Sequence, residues 1–166
     1  MNSKGQSGLA RLLLLSILLA SAYPNRGTSG EPALDPCKLL SDEQVRVVVP
    51  KLAGGMVTHA GASLIKGVDA YECAYIDEQA NGLNVILNIA TDEARFAEIK
   101  GSSSRYEKAQ KVGIGDEAWI YPRDNSLNVT VYKHFTIIDL QLSGPDATQK
   151  SKELIELART VANNVE

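Results

Sequence analysis

Few side chains in this chain offer chemistry. The sequence holds two cysteines, Cys37 and Cys73, and two histidines, His59 and His134. In an oxidising compartment an even pair of thiols reads as one disulfide. A metal site and a reactive thiol are the rivals, but two cysteines with two distant histidines lack zinc-type spacing. Closing a loop of about 37 residues would stabilise a fold by roughly 4 kcal/mol in the chain-entropy account. Asp116 and Glu117 are adjacent carboxylates, and such a pair does acid–base work when both groups reach one site. Neighbours in a strand point to opposite faces, which argues against that here. Gly113-Ile114-Gly115 is a fragment of a dinucleotide fingerprint, yet it precedes a strand rather than a helix and reads as a flexible approach to that strand. The chain has no G-x-S-x-G, no H-E-x-x-H and no phosphate-binding loop. No catalytic residue, cofactor or metal is implied. Ser102-Ser103-Ser104-Arg105 reads as a linker, and Asn128-Val129-Thr130 matches a glycosylation sequon.

The elements that would position these groups follow from periodicity. Ser41 is a helix N-cap with Gln44 at the capping-box position, and Pro50 stops that helix. Met56-Val57-Thr58 reads as a short strand, and Tyr71 to Ile76 as a longer one carrying Cys73. Asn81-Gly82 is the strongest hairpin signal. After it Leu83, Val85, Leu87 and Ile89 alternate with Asn84, Ile86, Asn88 and Ala90 at period two. Thr91 reads as the cap of a second helix, with Ala94, Phe96 and Ala97 inward and Gly101 at its end. The second half is built in the same way, with strands at Ala118 to Tyr121, Leu127 to Tyr132 and Phe135 to Leu142. Asp146, with Gln149, is expected to cap a last helix whose Leu154, Ala158, Val161 and Val165 recur at helical spacing. Ala74-Tyr75-Ile76 and Leu83-Asn84-Val85 match Ala118-Trp119-Ile120 and Leu127-Asn128-Val129 at one offset of 44, either by duplication or by convergence of two similar hairpins. The expected fold is α+β, an antiparallel sheet of two βββ units with helices packed on one face, in the order α-βββ-α-βββ-α.

The first 22 residues have the form of a secretory signal peptide: Lys4 and Arg11, the apolar run Leu12 to Leu19, then Ala20-Ser21-Ala22 before an expected new N-terminus at Tyr23. That run is too short to span a bilayer. No cysteine follows the small residues, so a lipid anchor is not expected. Residues 23–34 read as a flexible linker and 35–166 as a single domain. Of 17 basic and 20 acidic side chains, the leader would remove two bases and no acid, leaving a net charge near −5. Such a balance offers no footprint for nucleic acid. The expected location is periplasmic or secreted, with no transmembrane segment after cleavage.

If Val85, Leu87, Val129 and Val131 face the helices, then Asn84, Ile86, Asn88, Asn128, Thr130 and Tyr132 share the opposite face. An amide- and hydroxyl-rich face with one apolar and one aromatic residue suits a docking partner, a glycan or another small ligand. The plain alternative is a solvated sheet face.

Three segments together resemble a known group: Asp35-Pro36-Cys37-Lys38-Leu39-Leu40-Ser41, Glu72-Cys73-Ala74-Tyr75, and Val112-Gly113-Ile114-Gly115-Asp116-Glu117-Ala118-Trp119. The pattern is similar to secreted bacterial domains of unknown function, mainly actinobacterial lipoproteins, with D-P-C-x-L-L-[ST] and G-x-G-D-x-A motifs. The resemblance covers about Asp35 to Asn164. It implies a Cys37–Cys73 disulfide and an envelope location, and it supplies no catalytic residues. The chain departs from that group in lacking the lipid-bearing cysteine.

The expectation is an exported, non-enzymatic binding module for an envelope protein or a small ligand. One alternative is an enzyme that uses His59 or His134 with a carboxylate. Another is a periplasmic hydrolase inhibitor presenting Asp124-Asn125 at a hairpin tip.

Overall fold

A computed structural model describes residues 34–103 and 108–165. The expected signal peptide, nearly all of the expected linker and part of the Ser102–Arg105 run lie outside the described residues. Asp35 Oδ1 accepts from the Cys37 amide at 3.0 Å and opens a 3-10 helix, Pro36–Lys38. Ser41 then caps α1, Asp42–Arg46, with both halves of the capping box made. The β-branched run and Pro50 keep α1 to five residues. Val45, Val48, Val49 and Leu52 are nevertheless buried.

Seven strands follow, interrupted by α2, Glu93–Ser103: β1 Gly54–Ala62, β2 Val68–Ile76, β3 Gly82–Ala90, β4 Gln110–Val112, β5 Glu117–Arg123, β6 Ser126–Lys133 and β7 Thr136–Ser143. They form one antiparallel sheet in the order β1-β2-β3-β7-β6-β5-β4. The last strand of each half thus pairs with the other at the centre. The class is α+β, as the alternation of periods indicates.

One sheet face makes the core. Cys73, Val85, Leu140, Val129 and Ile120 stand in one cross-strand row, and Tyr75, Leu83, Leu142 and Leu127 in another. The C-terminal helix α3, Ser151–Asn164, lays Leu154, Leu157, Ala158, Val161 and Ala162 on this face. Lys133 Nζ, from β6, donates to the Ala162 and Val165 carbonyls at 2.6 Å each, satisfying carbonyls that the helix end leaves free. Lys150 Nζ donates to the Val48 carbonyl at 2.7 Å and ties the start of α3 to the α1 region. The Cys37–Cys73 disulfide, Cα–Cα 5.2 Å, fastens the N-terminal 3-10 helix to β2. Among the described residues no helix is long and apolar enough to cross a membrane.

Several details differ from the sequence reading. The second unit has four strands, because Gln110–Val112 adds β4 ahead of the three expected strands. The helices are not all on one face: α2 lies on the other one. Phe96 meets Tyr132 and Phe135 edge-on, at 6.2 and 6.3 Å between ring centres. Ala94 and Ala97 are exposed, so Phe96 is the inward residue. Asp92, not Thr91, caps α2 by accepting from the Arg95 amide at 2.9 Å, and the helix runs through Gly101. Asp146 precedes a 3-10 helix, Ala147–Gln149, without a side-chain cap bond, and α3 starts later.

Asn81-Gly82 is not a two-residue turn. Residues 77–81 form the loop, ordered by Asp77 Oδ1 accepting from the Gln79 and Asn81 amides, and Gly82 already belongs to β3. A Cβ at Gly82 would lie 2.2 Å from the Tyr75 carbonyl oxygen, so the glycine answers to a close approach. The internal match also fails in three dimensions. Ala74 pairs with Asn84, whereas Ala118 pairs with Val131 instead of Asn128. That odd offset puts Tyr75 in the core and Trp119 on the other face, so the two hairpins are not structural copies.

The Gly113–Asp116 segment is a clamp, not a slack approach. Ile114 is buried and Gly115 has φ +58°. The Asp116 amide donates to the Tyr132 carbonyl at 2.9 Å, and Asp116 Oδ2 accepts from the His134 amide at 2.8 Å. The motif thereby fastens the start of β5 to the turn between β6 and β7.

Candidate functional site

The sheet face opposite α1 and α3 is a grid whose rows follow from strand register. One row reads Met56, Ala74, Asn84, Gln141, Asn128, Tyr121. The next reads His59, Glu72, Ile86, Asp139, Thr130, Trp119, Lys111. A third reads Gly61, Ala70, Asn88, Ile137, Tyr132, Glu117. All six residues that alternation places on this face are on it. They fall in pairs, and β7 lies between the members of each pair: Gln141 between Asn84 and Asn128, Asp139 between Ile86 and Thr130, Ile137 between Asn88 and Tyr132.

The two halves of the face differ in access. Asn84, Ile86 and Asn88 are half-buried, whereas Asn128, Thr130 and Tyr132 are buried at 8, 2 and 1 % exposure. Asn128 Nδ2 donates to Ser126 Oγ at 3.2 Å, so the sequon asparagine is a packed side chain within a strand and unsuited to carry a glycan. Tyr132 is covered by α2, with Lys100 Nζ 4.7 Å from its ring centre. Lys100 also pairs with Glu117 at 2.5 Å, and the Trp119 indole N–H donates to Glu117 at 3.0 Å. Those two donors, Lys100 foremost, hold the Glu117 carboxyl below the usual carboxylate range.

Asp139 is the centre of the face. Its Oδ1 accepts from the Thr130 hydroxyl, and Tyr121 Oη lies 3.3 Å from the same Thr130 oxygen. Thr130 has one proton and gives it to Asp139, so Tyr121 is the donor to Thr130. Burial pushes the Asp139 carboxyl above its ordinary range, with the Thr130 bond acting in the opposite sense. Among the described residues every buried side-chain nitrogen and oxygen has a hydrogen-bond partner.

Sequence reasoning missed Asp139, Gln141, Tyr121 and Trp119 as members of this face. A signal for two of them exists: in Thr136–Ser143, Asp139 and Gln141 alternate with Ile138, Leu140 and Leu142 at the strand period.

His59 sits after a bulge in β1 opposite Glu72, and His134 occupies the turn between β6 and β7 with φ +51°; both are exposed. They are far apart in the strand grid, one on the outer strand β1 and the other between β6 and β7. Asp116 is engaged with the His134 amide, and Glu117 with Lys100 and Trp119, so the adjacent carboxylates serve separate contacts. Asp124 and Asn125 form the exposed two-residue turn between β5 and β6. Among the described residues no cluster of three or more metal-ligating side chains occurs. No known family, curated protein or solved structure matches this chain.

Proposed function

We propose that this is an exported bacterial envelope protein, of the secreted family its motifs resemble, that works as a binding module through the sheet face centred on Asp139. The observation that carries the reading is the register of β3, β7 and β6. It lines up three side-chain amides, Asn84, Gln141 and Asn128, beside a carboxyl held by the Tyr121–Thr130 chain. Amides and a fixed carboxyl on a rigid sheet supply directional donors and acceptors, as a specific binding surface needs.

The disulfide supports an oxidising compartment, and cleavage before Tyr23 would deliver the mature domain there. Affinity capture from an envelope extract tests the reading, with mature oxidised protein as bait beside an Asn84→Ala/Gln141→Ala variant. Both substituted residues are half-buried, so the fold should survive their truncation. A ligand held by the parent and lost by an equally stable variant supports the face as the site. Equal capture by the two baits refutes it. Mass spectrometry of the exported protein should find Tyr23 at the N-terminus, and an intact residue 12–19 segment would refute the export route.

A further inference from the structure

At the β1–β2 end of this same face is a hollow of about 390 Å³. Its lining includes His59, Leu64, Ile65, Ala70, Glu72 and Ile86. The register explains its depth. Gly61 and Ala70 are row neighbours with little or no side chain, while Glu72 and Ile86 rise from the adjoining row. Leu64 and Ile65, in the β1–β2 turn, stand at 107 and 47 % exposure, so apolar surface remains for a ligand to cover.

The charge of the surroundings is one-sided. Strands β1, β2, β3 and β7 contain Asp69, Glu72 and Asp139 and no lysine or arginine. Glu72 lines the hollow, and Asp139 lies one strand beyond Ile86 in the same row. Of the nearby bases, His59 lines the hollow across from Glu72, Lys66 in the turn is not part of the lining, and Arg95 of α2 is ion-paired with Glu98.

We propose that the hollow binds a small organic cation, an alkylammonium whose apolar body packs on Leu64, Ile65 and Ile86 and whose ammonium meets the Glu72 carboxylate. The inference goes beyond the binding reading above and adds a separate small-ligand site at the edge of the same face. Apolar burial and a charge-assisted hydrogen bond would each contribute; the first is common to an ammonium, an alcohol and a carboxylate of one chain length, and the second selects the ammonium.

The test is a nuclear magnetic resonance titration of ¹⁵N-labelled mature protein with n-hexylammonium, n-hexanol and hexanoate. The expected result is saturable shifts from hexylammonium on the amides of Leu64, Ile65, Ala70 and Glu72. Hexanol should bind at least about fivefold more weakly, and hexanoate more weakly still. Glu72→Gln should weaken hexylammonium at least about fivefold and leave hexanol unchanged, whereas Leu64→Ala should weaken both. Raising the salt concentration should reduce only the ammonium preference. Three outcomes would overturn the proposal: no saturable shift with hexylammonium, hexanol or hexanoate binding as tightly, or an unaltered hexylammonium affinity in a folded Glu72→Gln. The capture experiment uses Asn84 and Gln141, which are outside the hollow, so it stands or falls independently of this one.

Discussion

Replacing Cys37 by serine isolates the contribution of the disulfide. Cys37 and Cys73 are 36 residues apart, and Cys73 is fully buried beside Val85 in the core. For a loop of that length the chain-entropy account gives about 4 kcal/mol of stabilisation, all of it exerted on the unfolded chain. A domain of about 130 residues has an unfolding entropy near 0.27 kcal/mol/K, so the loss should lower Tm by about 15 °C. The native geometry should persist, because non-covalent ties stay in place. Tyr75 Oη donates to the Cys37 carbonyl at 3.0 Å, and Asp35 still accepts from the residue 37 amide. Cys73 would remain as a buried thiol, which behaves as a small apolar group. The assay is thermal unfolding by circular dichroism of parent and variant at one pH and concentration, with far- and near-ultraviolet spectra compared below the transition. A variant melting within about 3 °C of the parent, with the same native spectrum, would refute the reasoning.

Asp139→Asn keeps an acceptor for Thr130 and removes the titration. The folded carboxyl holds its proton to higher pH than the unfolded one, whose ordinary value is 3.8. Parent stability should therefore fall as pH rises from about 4 through the folded value, and the variant should lack that fall; urea midpoints at pH 4 and 8 that shift equally in the two proteins would contradict this. Tyr75→Phe removes bonds to the Cys37 and Leu40 carbonyls and should cost about 1 kcal/mol in urea unfolding. Burial, with Asp42 and Asp35 nearby, pushes the Tyr75 hydroxyl up to about 12, so the variant should lose a phenol that ionises well above the ordinary range in an alkaline absorbance titration. Gly115→Ala forces a side chain into φ +58° with its Cβ 2.7 Å from the Tyr132 carbonyl oxygen, and should cost about 2 kcal/mol by urea denaturation; wild-type stability would refute the clamp.

Local chemistry was legible where neighbours in the chain decide the outcome. The Ser41–Gln44 capping box, the alternation of Leu83 to Ile89 and of Leu127 to Tyr132, and the Leu154–Val165 stripe each depend on residues a few positions apart, and each appears as read. The same alternation assigns Asn84, Ile86, Asn88, Asn128, Thr130 and Tyr132 to one face, because side-chain direction in a strand has period two. Long-range order was not legible. That β7 separates β3 from β6, placing Asp139 and Gln141 at the centre of the face, follows from non-local pairing, which no local pattern encodes. The opposite facing of Tyr75 and Trp119 comes from a register offset of an odd number of residues, invisible in a gapless sequence match. The crossing of α2 to the second face turns on Phe96 finding Tyr132 and Phe135, since the helix has no strong apolar stripe of its own to dictate a side. Periodicity, caps and the cysteine pair are properties of the chain; which polar groups end up side by side is a property of how the strands pair.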